Sequence, residues 1–176
     1  KLDRGCKFHG RISLWRTPDS TIDIGQKCRF RSGKWSNRIG LNRPCMLSTL
    51  RQKAQVSIGE DCGFSGTVIA AAESISIGSN VICGANVTIT DTDWHHADPT
   101  KRRDAVAQSA PIVVEDNVWL CMNVTVLKGV TIGCGSVIAA NSVVTESIPD
   151  RVIAAGQPAK VVRKLSIKQS FDDTQS

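Results

Sequence analysis

The chain has 176 residues, of which 41% are hydrophobic and 22% are charged, and this balance is ordinary for one soluble globular domain that buries a core. No stretch approaches the roughly 18 unbroken apolar residues of a membrane-spanning helix, and residues 1–10 lack the apolar run of a signal peptide. We therefore expect a soluble, cytoplasmic protein in which residues 1–176 form a single domain.

The net charge of +6 is concentrated near the start of the chain, because residues 1–53 contain 13 Lys and Arg against 3 acids. Such a region is either a solvated face or a surface that attracts anionic glycans, nucleotide-linked intermediates or the inner surface of a membrane. No nucleic-acid-binding motif accompanies the charge, so we expect no nucleic acid partner.

The seven cysteines are odd in number and form no CxxC pair, so neither a disulfide framework nor a zinc site is expected. Several stand where the repeat described below requires a small apolar side chain. This usage is typical of free thiols in a reduced interior and again favours the cytoplasm.

Residues 1–55 contain only broken traces of a repeat, such as Ile24 with Cys28, and we interpret them as degenerate, basic N-terminal coils. Residues 56–165 repeat regularly, and residues 166–176 form a short C-terminal tail. Aliphatic residues recur six apart in the series Val114, Leu120, Val126, Ile132, Ile138 and Val144, and earlier blocks repeat the pattern at Ile58, Ile77 and Ile89.

A period of six matches neither the 3.6-residue repeat of an α-helix stripe nor the two-residue alternation of an ordinary strand. The remaining interpretation is a series of short strands joined by corners. Glycine often follows the lead aliphatic residue, because a corner imposes unusual dihedral angles and a close approach of the backbone. Three strands per coil would stack the aliphatic residues into interior ladders. The sequence therefore predicts an all-β fold, a parallel β-helix with parallel sheets on three faces.

The period is lost between Ile89 and Val114, where a polar stretch predicts an excursion loop at about residues 91–110. Two of the three histidines, His95 and His96, stand in this loop beside Asp93. Adjacent residues of an extended segment point in opposite directions, so we expect one of the two histidines to face a given cleft.

The hexapeptide pattern, the segment NVTITDTDWHHADP followed by PIVVEDNVW, and the segment GQPAKVVRKL resemble the left-handed β-helix acyltransferases, which include maltose, galactoside and xenobiotic acetyltransferases. The resemblance implies a left-handed coil, a homotrimer with active sites between subunits, and acetyl-CoA as co-substrate without a metal. It also implies that His95 is the general base of a direct transfer to a hydroxyl, with His96, which stands where the family has proline, as second choice. Asp91 or Asp93 would hold the imidazole ring, and we favour Asp93.

The same resemblance assigns candidate binding residues. Lys160 and Arg163 would bind the coenzyme phosphates, although Glu146 stands where the family often has lysine. The candidate pantetheine-channel residues are Met122, Ala140 and Thr145, and the candidate acceptor residues are Ser65 and Glu73.

The expected acceptor is a sugar of a cell-surface polysaccharide or of its precursor, with an antibiotic, a free oligosaccharide or an amino acid as alternatives. A γ-type carbonic anhydrase has the same coil but needs three converging histidines, and this chain offers only His9, His95 and His96. A catalytically silent β-helix that serves as a scaffold subunit is the alternative from another class. Peripheral contact of the basic N-terminal region with a membrane is a further possibility that the charge leaves open.

Overall fold

The structure is a computed structural model that describes residues 1–103 and 105–166, so the predicted tail lies outside the described residues except for Ser166. The described part is built from short strands, numbered here in chain order. They are β1 (Lys7–His9), β2 (Ser13–Trp15), β3 (Thr21–Ile24), β4 (Arg29–Arg31), β5 (Met46–Thr49), β6 (Gln55–Ile58), β7 (Gly63–Ser65), β8 (Val68–Ala71), β9 (Ser74–Ile77), β10 (Ile82–Ala85), β11 (Thr88–Thr90), β12 (Ile112–Val114), β13 (Trp119–Leu120), β14 (Thr125–Val126), β15 (Thr131–Ile132), β16 (Val137–Ile138), β17 (Val143–Val144), β18 (Val152–Gly156) and β19 (Ala159–Lys164).

Successive strands belong in turn to three sheets, which confirms the predicted parallel β-helix. Sheet I contains β1, β4, β7, β10, β13, β16, β18 and β19; sheet II contains β2, β5, β8, β11, β14 and β17; sheet III contains β3, β6, β9, β12 and β15. Neighbouring strands pair in parallel, except that β18 and β19 form an antiparallel hairpin at the end of sheet I. We name the three corners of the coil by the sheets that they join, in chain order III–I, I–II and II–III.

Interior ladders of apolar side chains hold the coils together. The predicted series from Val114 to Val144 is at most 1% exposed at each of its six members and faces inwards from sheets III, I and II in turn. In sheet I, Phe8, Phe30 and Phe64 stack across three coils with ring centroids 5.2 and 5.0 Å apart. Because each coil buries its apolar side chains only against the coils above and below, the register between coils is set by these ladders.

Glycines at the III–I corner are required by the close approach of successive coils. A Cβ on Gly59 would lie 2.6 Å from the backbone carbonyl carbon of Gly78, yet neither glycine has a positive φ. The left-handed conformation falls instead on a polar residue later in the same corner, such as Asp61 (φ 55°) or Asn80 (φ 58°). Glycine was expected at these corners because of unusual dihedral angles and because of a close approach of the backbone. At Gly59 and Gly78 the structure shows the close approach and no positive φ.

Two loops leave the coil. One runs from residue 91 to residue 111 at the II–III corner, as the lost period predicts, and the other runs from residue 32 to residue 45 at the I–II corner. The second loop was not predicted, because residues 1–55 showed only broken repeats. No helix within the described part of the chain has the length and apolar character that crossing a membrane requires.

Candidate active site

A buried carboxylate anchors the start of the loop of residues 91–111. The side chain of Asp91 is fully buried, and its two oxygens accept hydrogen bonds from the backbone N–H groups of Ala72 (2.6 Å) and Glu73 (2.8 Å) in the coil below. The backbone carbonyl of Asp91 accepts another from the N–H of Ala110 (3.0 Å), where the loop returns. Burial raises the pKa of Asp91 above its ordinary value, although these amides act in the opposite direction.

The loop leaves and returns as a paired neck. Thr92 forms an antiparallel bridge with Ser109, and the N–H of Asp93 donates to the carbonyl of Gln108 (3.0 Å). Arg51, at the same corner two coils earlier, donates to the carbonyl of Ala107 (2.7 Å) and to the hydroxyl of Ser109 (3.2 Å). The base of the loop is therefore tied to the rigid coil at several points.

The two histidines line a small cavity above this neck, of about 60 Å³, together with Asp93, Ala97 and Gln108. The Nδ1 atom of His96 accepts a hydrogen bond from the backbone N–H of Asp98 (3.1 Å). In its neutral form, His96 therefore carries its proton on Nε2. The ring of His95 is exposed and makes no hydrogen bond within the described residues, so a ring nitrogen stays accessible.

Neither aspartate that was considered as an orienting group holds an imidazole ring in this structure. The carboxylate of Asp91 is occupied by backbone amides, and that of Asp93 accepts a hydrogen bond from Lys128 Nζ at 2.6 Å. Asp93 does contact His95, but through its backbone carbonyl, which accepts the His95 N–H at 2.8 Å.

Sequence reasoning missed Lys128 and Arg51 as parts of this site. Lys128 follows β14 at the same corner in the next coil, where its position corresponds to that of Asp91 one coil earlier. The structure pairs Ile89 with Val126 across the loop, and only this pairing places Lys128 beside the acidic segment, because the sequence period is lost between the two strands. Arg51 had no signal in the sequence either, since its contacts lie 56 and 58 residues away along the chain.

The candidate acceptor residues lie at different corners of the chain. Ser65 lies at the I–II corner, where its hydroxyl accepts a hydrogen bond from Asn37 Nδ2 (3.1 Å) of the loop of residues 32–45. Glu73 lies at the II–III corner, where its Oε2 accepts one from the hydroxyl of Ser109 (3.1 Å). The strand β8 separates the two residues. Within a single subunit, Glu73 therefore lies next to the loop that carries the histidines, whereas Ser65 does not.

The candidate coenzyme residues are also divided between corners. Met122 and Ala140 follow β13 and β16 at the I–II corner, and the pairing of Leu120 with Ile138 places them at equivalent positions of adjacent coils. Thr145 is exposed and follows β17 at the II–III corner.

The two candidate phosphate-binding cations lie on β19, at the edge of sheet I. Lys160 Nζ is 2.8 Å from Glu146 Oε2, and Arg163 lies opposite Ile153 in the terminal hairpin. Glu146, which stands where the family often has lysine, is therefore paired with Lys160, which is one of the two residues predicted to bind the coenzyme phosphates. Within residues 1–103 and 105–166, no three His, Cys, Asp or Glu side chains are grouped so that they could hold a metal ion.

Two family models match parts of the regular coil. The model described as hexapeptide repeat of succinyl-transferase matches residues 55–91, and the model described as bacterial transferase hexapeptide (six repeats) matches residues 111–146. The loop that carries the histidines lies between the two matched segments.

Individual relatives agree with these models. The chain is 35% identical over 144 residues to galactoside O-acetyltransferase of Lactococcus lactis, covering 82% of this chain and 63% of that one. It is 41% identical over 93 residues to galactoside O-acetyltransferase of Escherichia coli, covering 53% of this chain and 45% of that one. A hexapeptide-repeat acetyltransferase of Vibrio cholerae, solved in complex with acetyl-coenzyme A, has 26% identity and a TM-score of 0.59 over 93% of this chain and 72% of that one. The aligned part of this chain spans 44% to 63% of the length of four curated relatives that it matches, so it corresponds to only part of those proteins.

Proposed function

Since the chain belongs to the family of hexapeptide-repeat acetyltransferases, we propose that it transfers an acetyl group from acetyl-CoA to a hydroxyl of a sugar-like acceptor. The observation that carries the proposal is the accessible His95 ring on a loop whose neck is anchored by Asp91, between two segments that match the family models.

His95 acts as the general base. A sugar hydroxyl is a poor nucleophile at neutral pH, and an imidazole nitrogen within hydrogen-bond reach accepts its proton as the oxygen attacks the thioester carbonyl. The tetrahedral intermediate then collapses, and the leaving coenzyme thiolate takes the proton from His95, so that the base is restored and no acyl-enzyme forms. His96 is less suited to this role, because its Nδ1 already accepts the N–H of Asp98 and its Nε2 then bears the proton.

Asp93 and Lys128 position the base. Lys128, on the corner that follows β14, pairs with the Asp93 carboxylate at 2.6 Å, and the backbone carbonyl of Asp93 accepts the His95 N–H. In this arrangement, Asp93 acts through the backbone of His95 and leaves the imidazole free to contact the acceptor.

In the acetyl-CoA site, Met122 and Ala140 of one subunit and Thr145 of a neighbouring subunit lie along the pantetheine, with Lys160 and Arg163 at the phosphates. Cations suit phosphates through charge-assisted hydrogen bonds, and the exposure of Lys160 leaves room for a nucleotide. The coenzyme supplies the acetyl thioester, and the residues of this chain bind and orient it.

A homotrimer completes the site. Ser65 and the loop that carries His95 lie at opposite ends of the sheet II strands, so both can face one acceptor only if a second subunit contributes one of them. We propose that the acceptor is a sugar of a polysaccharide or of its precursor, and that the reaction takes place in the cytoplasm.

The test is a screen of acetyl-CoA turnover over neutral sugars, acidic sugars, an antibiotic and an amino acid. Because seven cysteines are free, product formation should be followed by mass spectrometry and not with a thiol reagent. Replacing His95 by Ala should lower kcat by about 100-fold or more, with an unchanged thermal midpoint, since the ring is exposed and outside the ladders. His96→Ala is the matched control with a smaller loss. Full activity in both variants would contradict the mechanism, and absence of turnover with every acceptor would favour the scaffold alternative.

A further inference from the structure

Four side chains form a basic array on the outer face of sheet I, at the start of the coil. The array consists of Lys7 and His9 on β1 and Arg29 and Arg31 on β4. The register pairs Lys7 with Arg29 and His9 with Arg31. Neighbouring strands lie about 4.8 Å apart, so each pair brings two basic side chains close together.

The Phe ladder holds the array in this arrangement. Phe8 and Phe30 are the middle residues of the two strands, and their rings stack 5.2 Å apart and within 7° of parallel, with Phe30 buried and Phe8 40% exposed at the end of the ladder. Alternation along a strand then directs the residues on either side of each Phe outwards. The stacked rings therefore prevent a shift of register that would separate the like charges.

No acid neutralises the array. Within the part of the chain that the structure describes, none of its four side chains makes an ion pair or a hydrogen bond. Lys7 and Arg29 are like charges directly opposite each other, an arrangement that destabilises a sheet. An anion that binds across this pair would remove the repulsion.

An exposed tryptophan lies on the loop that begins where β4 ends, next to the array. The backbone N–H groups of Ser32 and Gly33 both donate to the carbonyl of His9 at 2.8 Å, which brings the start of the loop of residues 32–45 against the end of β1. Trp35 follows on this loop with 87% of its surface exposed, and Lys34 Nζ lies 5.6 Å from its ring centroid. An indole has an apolar face and a polar N–H, so it suits a sugar ring.

We propose that the basic array and Trp35 form a binding site for an acidic polysaccharide. The guanidinium groups of Arg29 and Arg31 bind carboxylates of the polymer through paired N–H donors, and Trp35 stacks on a sugar ring. Binding does not require acetyl transfer, so this inference goes beyond the proposed function and is tested apart from it.

The surroundings favour a saccharide over a lipid surface. A membrane contact combines cations with apolar side chains that enter the lipid. The next positions after Arg29 and Arg31 on sheet I are Gly63 and the buried Ser65, so no apolar side chain stands directly beside the two arginines, and the exposed Ile82 lies one coil further on.

The experiment measures binding of the full chain to polygalacturonate, with dextran as the neutral polymer, at low and high salt. The parent should bind polygalacturonate and not dextran, and added salt should weaken binding because the array is exposed. Replacing both Arg29 and Arg31 by Gln should weaken binding by about tenfold or more. The Trp35→Ala variant should weaken it by about threefold.

Charge-matched and functional controls separate the outcomes. A variant with Lys53→Gln and Lys164→Gln loses the same charge at the II–III corner and on β19, and it should bind like the parent. The arginine variant should keep its thermal midpoint and its acetyl transfer to a small neutral sugar, which shows that it folds. Equal losses in both double variants, equal binding to dextran, or tighter binding to phosphatidylglycerol vesicles than to polygalacturonate would each overturn the proposal.

Discussion

Replacing Asp91 by Ala should destabilise the chain strongly, because this carboxylate joins the loop to the coil. The change removes two hydrogen bonds, of 2.6 and 2.8 Å, and leaves the buried N–H of Ala72 and the partly buried N–H of Glu73 without their acceptor. A hydrogen bond to a charged group contributes about 1.5–3 kcal/mol, so the expected loss in unfolding free energy for the two bonds is about 3–6 kcal/mol. A domain is typically stable by only about 5–15 kcal/mol, so this loss is a large fraction.

The control is Asp93→Ala, two residues away. Asp93 pairs with Lys128 at 2.6 Å, but the two side chains are 42% and 30% exposed, so water screens their attraction. The expected cost is about 0–1 kcal/mol. Urea unfolding followed by circular dichroism measures both variants. If Asp91→Ala costs no more than Asp93→Ala, the buried carboxylate does not hold the neck of the loop.

The pH dependence gives a second test of Asp91. Burial raises its pKa in the folded state, so its titration contributes stability that is full below the ordinary pKa and is lost as pH rises through the raised value. The Asp91→Asn variant cannot titrate at this position. The difference in unfolding free energy between the parent and this variant should therefore widen as pH falls through the raised pKa towards the ordinary value, and a constant difference would contradict this cause.

Two further predictions concern the coil and the coenzyme. Gly59→Ala should cost about 1–3 kcal/mol of unfolding free energy in the same urea assay, because the added Cβ would lie 2.6 Å from the Gly78 backbone. Gly63→Ala is the control and should be nearly neutral, because no atom lies within 4 Å of its added Cβ. Equal costs would contradict the close approach of the coils. Lys160→Ala should raise KM for acetyl-CoA more than it lowers kcat, and Glu146→Gln should lower KM, because it releases Lys160 from a 2.8 Å ion pair. Steady-state kinetics with acetyl-pantetheine, which lacks the nucleotide, is the control; if both variants change KM equally for the two donors, Lys160 does not bind the phosphates.

The sequence alone determined the architecture and the place of the loop. An aliphatic residue every six positions is a local pattern, and the ladders from Val114 to Val144 follow from it because each strand must bury one such side chain. Loss of the period after Ile89 marked where the chain leaves the coil, within one residue of the observed end at residue 111. The resemblance added the family and the candidate residues His95 and His96.

Only the tertiary structure decided which of these residues meet. It placed Asp91 against backbone amides and Asp93 against Lys128, although both stand in the same short acidic segment. It placed Ser65 and Glu73 at different corners, and it set Lys7 opposite Arg29. These contacts join residues of different coils, and loops of unequal length shift the numbering between coils. The period along the chain therefore reveals the coil, whereas contacts across it depend on the register that the buried ladders impose.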